Sequence, residues 1–149
     1  MKQIIYAMQF VGSAAPKAGS PTILTATTTA LSGNITTVAG PEGVSGRLET
    51  IDGGKATFTS EVTITGETSF RESGTIQFGD ERHRLHFSTV GEGYLNASAD
   101  PRLKHGTVTW RLDSGEGQFA GASGLITSNF TISETGEVTD NHFGVIFLP

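Results

Sequence analysis

From Lys55 to Thr65 the chain alternates residue by residue. Phe58, Val62 and Ile64 fall on one parity, and Lys55, Thr57, Thr59, Glu61 and Thr63 on the other. A two-residue period cannot lie along a helix, whose faces repeat every 3.6 residues, so this stretch is a strand with one buried and one wet face. The same period organises the rest of the chain. Ile4, Tyr6, Met8 and Phe10 oppose Gln3, Ile5, Ala7 and Gln9. Phe70, Glu72, Gly74, Ile76 and Phe78 share a face, and Leu85 and Phe87 oppose Arg84 and His86. No run of ten residues keeps a helical period. Twenty glycines, abundant Thr and Ser, and charge at only 17% complete the composition of short strands and turns.

Turn signals place the remaining elements. Gly12 to Pro21 is rich in Ala, Gly, Ser and Pro and is expected to be a loop. Thr22 to Thr37 is β-branched, broken by Ser32-Gly33-Asn34, and is expected to form one or two short strands before a turn at Gly40-Pro41-Glu42-Gly43. Val44 to Ile51 is a strand that Asp52-Gly53-Gly54 should close as a hairpin onto Lys55–Thr65. Gly91 to Leu103 is ambiguous, with Tyr94-Leu95-Asn96 able to extend a strand and Asp100-Pro101 ending it. Strands follow around Trp110, around Phe130 and from Glu137 to Leu148, the last two separated by a turn at Glu134-Thr135-Gly136. At 149 residues this predicts a single domain, residues 1–149, of the all-β, antiparallel class.

Between the strands around Trp110 and Phe130 lies Gly115-Glu116-Gly117-Gln118-Phe119-Ala120-Gly121-Ala122-Ser123-Gly124. Four glycines around one large apolar residue predict a tight corner with Phe119 folded back onto the core. The third glycine comes one residue late for a dinucleotide loop, and no Gly-Lys-Ser/Thr exists for a Walker-type loop, so no nucleotide cofactor is expected. The pattern G-x-G-x-F-x-G-x-x-G resembles the allene oxide cyclase-like barrel superfamily, which includes plant allene oxide cyclases, dirigent proteins and bacterial domains. Ile76-Gln77-Phe78-Gly79-Asp80, leading into Leu85 and Phe87, is similar to the cyclase branch, and the likeness spans roughly residues 70 to 149. It implies an eight-stranded antiparallel barrel with a central cavity, commonly assembled as a trimer. Allene oxide cyclases carry a Glu and an Asn on their first strand, where this chain has only Gln3 and Gln9, so no catalytic residue carries over.

The net charge of −5, without a block of Lys or Arg, lacks the basic footprint of nucleic-acid binding. No segment reaches the 18 or so apolar residues of a membrane span. With no cysteine there is neither a disulfide framework nor a thiolate site. Gln3 and Gln9 interrupt the apolar N-terminal run, which predicts a first strand rather than a signal peptide and hence a cytoplasmic protein. His83 and His86 point to opposite faces of a strand, and no metal site is expected.

The candidate catalytic residue is Glu72, a carboxylic acid in an otherwise apolar parity set. Burial would raise its pKa and suit it to acid–base work near neutral pH. Tyr6, Phe58, Trp110, Asn129 and Asn141 are candidate substrate-binding residues, since the polar tips of Tyr and Trp need a partner when buried. The final strand is apolar on both parities, which predicts a homo-oligomer, a dimer or trimer. The expected function is an isomerase or cyclase acting on a small, largely apolar molecule in the cavity. The competing reading is a non-catalytic binding protein or carrier for such a ligand.

Overall fold

The computed structural model describes all 149 residues. Nine strands follow one another: β1 (Lys2–Pro16), β2 (Ile23–Gly40), β3 (Gly43–Ile64), β4 (Ser69–Phe78), β5 (His83–Thr89), β6 (Gly93–Ala97), β7 (Leu103–Glu116), β8 (Ser123–Ser133) and β9 (Glu137–Leu148). Every pairing is antiparallel, and β3–β4 contact closes the sheet on itself. β5 and β6 lie end to end along one edge of β7, at Arg84–Thr89 and Tyr94–Ala97, and so form one interrupted stave. The result is an all-β ring of eight strands, the expected barrel-like architecture.

Alternation decides what fills it. The inward parity of each strand supplies Phe10, Phe58, Ile76, Leu85, Phe87, Trp110, Ile126 and Ile146, all nearly or wholly buried. Phe58, Phe87 and Trp110 stack with centroids 4.5–5.3 Å apart. The glycine corner contains a single 3-10 turn, Gly117–Phe119, which sets the Phe119 ring against that of Phe78 with centroids 5.2 Å apart and closes this end of the ring. Phe119 is the plug that the glycine run predicts.

Three local expectations are corrected. Gly12 to Pro16 is not loop but the end of β1, because its backbone pairs with Leu24–Thr28 of β2. Where one or two short strands are expected over Thr22 to Thr37, a single long strand runs from Ile23 to Gly40. Asp52-Gly53-Gly54 makes no hairpin: β3 runs straight through it. Reversal happens at Gly40–Gly43 instead, where Gly40 pairs with Gly43. Between the pairs Leu31–Lys55 and Gly33–Thr50, β3 spends more residues than β2, so the Asp-Gly-Gly stretch is absorbed as a bulge. Beyond that bulge β2 and β3 leave the barrel as a two-stranded ribbon.

Candidate functional site

The end of the barrel opposite the Phe119 plug is not filled. A cavity of about 70 Å³ lies there, walled by apolar side chains that include Ala26, Phe58, Val62, Phe70 and Phe130. Leu24, Ile64, Leu95 and Ile132 line both this cavity and a wider mouth of about 550 Å³ outside it. Cavity and mouth together fall in the range of roughly 300–1,000 Å³ typical of small-molecule sites. Four polar side chains break the apolar lining: Thr28, Glu72, Ser128 and Asp140. The Thr28 hydroxyl is buried and has no hydrogen-bond partner in the protein. A buried orphan hydroxyl is costly and uncommon, and beside a cavity it offers an unused contact to whatever enters.

Glu72 is delivered by the alternation of β4, and its backbone is pinned. The Thr89 hydroxyl accepts from the Glu72 N–H at 2.8 Å and contacts its carbonyl oxygen at 2.7 Å. At the carboxyl group, Ser60 Oγ donates to Oε2 at 2.6 Å and Trp110 Nε1 donates to Oε1 at 3.2 Å. Burial pushes the Glu72 pKa up from 4.5 to about 7; the Ser60 hydrogen bond opposes this, the charge of Asp140 adds to it, and Trp110 opposes it further. Desolvation is the larger effect because the side chain is buried, and only Ser60 and Trp110 donate to its carboxyl group.

Asp140 heads a second polar chain. Ser128 Oγ donates to its Oδ1 at 2.6 Å, and its Oδ2 lies 3.0 Å from His142 Nε2. His142 Nδ1 lies 3.1 Å from the Tyr6 hydroxyl, deep in the barrel. Burial, and after it the charge of Asp140, holds the Tyr6 phenol well above its ordinary value. Tyr6 therefore keeps its proton, and in the tautomer with its proton on Nε2 His142 donates to Asp140 and accepts from Tyr6 at Nδ1. A continuous relay thus runs from Asp140 at the cavity to Tyr6 inside the core.

Asp140 and Glu72 are coupled, which gives an expected result. Asp140→Asn should lower the Glu72 titration yet leave it above 4.5, since desolvation is the larger cause. Carboxyl NMR of the variant measures this, and an unmoved titration would show that the two acids do not sense each other.

Of the sequence-derived candidates, Glu72 and Phe58 line the cavity, Trp110 holds Glu72, and Tyr6 ends the relay. Asn129 and Asn141 do not reach this cavity: both are exposed on the outer wall, paired side by side across β8 and β9, where Gln9 Nε2 donates to Asn141 Oδ1 at 2.9 Å. They lie outside because Ser128, Asp140 and His142, on the other parity, take the interior. Those three residues, with Thr28 and Ser60, were missed. Both parities of β9 are apolar, so no local signal separates Asp140 and His142, which share one with Ile146 and Leu148, from Asn141 on the other.

No family model matches the chain, and no curated protein matches it in sequence. Among solved structures, the barrel is similar to a pterocarpan synthase dirigent protein, with a TM-score of 0.56 and 12% identity over 98% of this chain and 86% of that one. The likeness is one of fold, shared with a protein of the dirigent group.

Proposed function

We propose that the barrel binds a small, largely apolar molecule, drawn in through the mouth and oriented by the polar groups at the cavity. The observation that carries this is the unpartnered Thr28 hydroxyl beside two buried acids in an otherwise hydrocarbon-lined space. Apolar walls supply affinity and a few convergent polar groups set orientation, the usual division of labour in such sites. The fold is also the one on which a pterocarpan synthase dirigent protein is built, which supports a ring-containing, phenolic ligand held in a defined pose.

The test uses phenol and 1-naphthol as probes in titration calorimetry, alongside native mass spectrometry of the protein as purified. Either probe should bind the wild type, and Ala26→Phe, which fills the cavity, should weaken binding at least tenfold. Val62→Phe serves if Ala26→Phe does not fold. Equal binding by the filled variants, or no bound species in any measurement, overturns the proposal.

A second reading, an isomerase or cyclase, is favoured by the placement of Glu72, which faces the ligand space and whose pKa burial pushes up to about 7. Such an acid can exchange a proton with a bound carbonyl or phenol at neutral pH. Glu72→Gln separates the two readings. A binding barrel should hold 1-naphthol within a few-fold of the wild type, whereas an enzyme should lose on the order of 10²–10⁴ in turnover of its substrate.

A further inference from the structure

Hydrogen-bond capacity decides what the cavity can hold. The donors that reach its two acids are all spent on them: Ser60 and Trp110 donate to Glu72, and Ser128 and His142 to Asp140. An ionised carboxylate offers about four acceptor sites, so each acid keeps capacity that no protein group uses. The Thr28 hydroxyl is 2% exposed, lines the same cavity and has no partner at all. With both acids ionised, the unused capacity is acceptor capacity, apart from the single Thr28 proton. Most donors must therefore come with the ligand.

Charge narrows the choice. Glu72 is 9% exposed and Asp140 6%. Yet no Lys or Arg lines the cavity, and none of the 10 in the chain is buried. The one remaining source of positive charge is His142. Protonated, it would present an N–H to Tyr6 as well as to Asp140, and the Tyr6 proton, whose only partner is His142, would lose its acceptor. Neutral His142 satisfies both neighbours and leaves Asp140 without a counter-charge. Buried acids without a cation are costly, and a cation brought from outside relieves that cost.

The walls select the kind of cation. A hard metal ion takes about six or more oxygen ligands, which hydrocarbon cannot supply. An ammonium carries three donors and needs little else. Phe58, Phe70 and Phe130 line the cavity, the last two packed edge to face with centroids 5.9 Å apart, and aromatic rings attract an organic cation.

We infer that the ligand is a ring-containing organic amine, its ammonium group held by Asp140, Glu72 and the Thr28 hydroxyl, with its ring toward the mouth among Leu24, Ile64, Leu95 and Ile132. This rests on the binding function proposed above and names the head group of the molecule bound. The mouth does not oppose it. There Arg102 is ion-paired with Asp100 at 2.6 Å, and Lys104 is matched in charge by Glu134, both exposed to screening solvent.

Probes of nearly one shape test the inference: tyramine is a cation, 4-ethylphenol is neutral and 4-hydroxyphenylacetate is an anion. Titration calorimetry at pH 8 keeps the alkyl ammonium protonated and Glu72 mostly ionised. Tyramine should bind roughly tenfold or more tighter than 4-ethylphenol, and the anion should bind most weakly. Asp140→Asn should bring the ratio of tyramine to 4-ethylphenol affinity to within about threefold of unity. Near-UV circular dichroism of the buried Trp110 checks that the variant is folded. If it is not, Glu72→Gln serves, and should lower the ratio by about threefold or more. Equal binding of tyramine and 4-ethylphenol, tighter binding of the anion, or a ratio unchanged in both variants overturns the inference. 1-Naphthol separates that failure from failure of the binding function itself. If naphthol binds and tyramine has no advantage, the barrel holds neutral ligands and only the amine is wrong; if no probe binds, both fall.

Discussion

Glu72→Gln should abolish a pH dependence of stability that the wild type carries. The folded pKa of Glu72, about 7, lies above its unfolded value of 4.5, so the native state favours the protonated acid. Its contribution is fully present below about pH 4.5 and is lost as pH rises through 7. A shift of this size corresponds to roughly 3 kcal/mol at pH 8. Gln is accommodated by the same neighbours: its carbonyl accepts from Trp110, and its amide donates to the Ser60 hydroxyl, which can turn to accept. Urea unfolding should therefore find the variant close to the wild type at pH 4.5 and more stable at pH 8. Glu72→Ala should instead cost about 1–3 kcal/mol at low pH, by leaving Ser60 and Trp110 without an acceptor. Equal pH slopes for wild type and Glu72→Gln would show that Glu72 is not held in a dry site.

The glycine corner carries the second large effect. Gly117 has φ of 63°, and a Cβ there would fall on the carbonyl oxygen of Arg82, well inside van der Waals contact. The obstacle is backbone, held in place because His83 Nδ1 accepts from the Gln118 N–H at 3.0 Å. Gly117→Ala therefore combines left-handed strain with overpacking, together about 2–5 kcal/mol. For a chain of this size the melting temperature should fall by on the order of 10 °C. Gly121 has φ of 75°, but its Cβ would meet Cγ of Pro149, a side-chain ring rather than backbone. Gly121→Ala should cost only the strain, about 1–2 kcal/mol. Thermal melts of the two variants measure the difference. Unchanged melting for both would mean that the corner does not require its glycines.

What could be known from the sequence follows from how far each determinant reaches along the chain. Parity is local: within one strand, each Cβ points opposite to the next. Alternation alone therefore placed Tyr6, Phe58, Glu72 and Trp110 on inward faces, and the glycine run placed Phe119 on the core. Where both parities are apolar, the local signal is silent. On β9, Phe143, Val145 and Phe147 compete with Ile146 and Leu148, and only pairing with β1 and β8 decides that Asp140 and His142 turn inward and Asn141 outward. The Asp52-Gly53-Gly54 signal failed for a related reason. A bulge and a hairpin use the same residues, and the choice was made by the turn at Gly40–Gly43 and the register it imposed on β2 and β3.

The chemistry of the site belongs wholly to the closed ring. Ser60 and Trp110 reach Glu72 across 12 and 38 residues, and Tyr6 reaches His142 across 136. Such pairs form because closure brings inward side chains from different staves to the same height, and nothing in the neighbourhood of any one of them announces it. The sequence by itself determined the all-β class, most of the strands and, where one parity was polar, which side chains face inward. Tertiary structure alone decided which of them meet and that desolvation should hold Glu72 near neutrality. Burial and register are properties of the assembled sheet, and a strand acquires them only when its neighbours are in place.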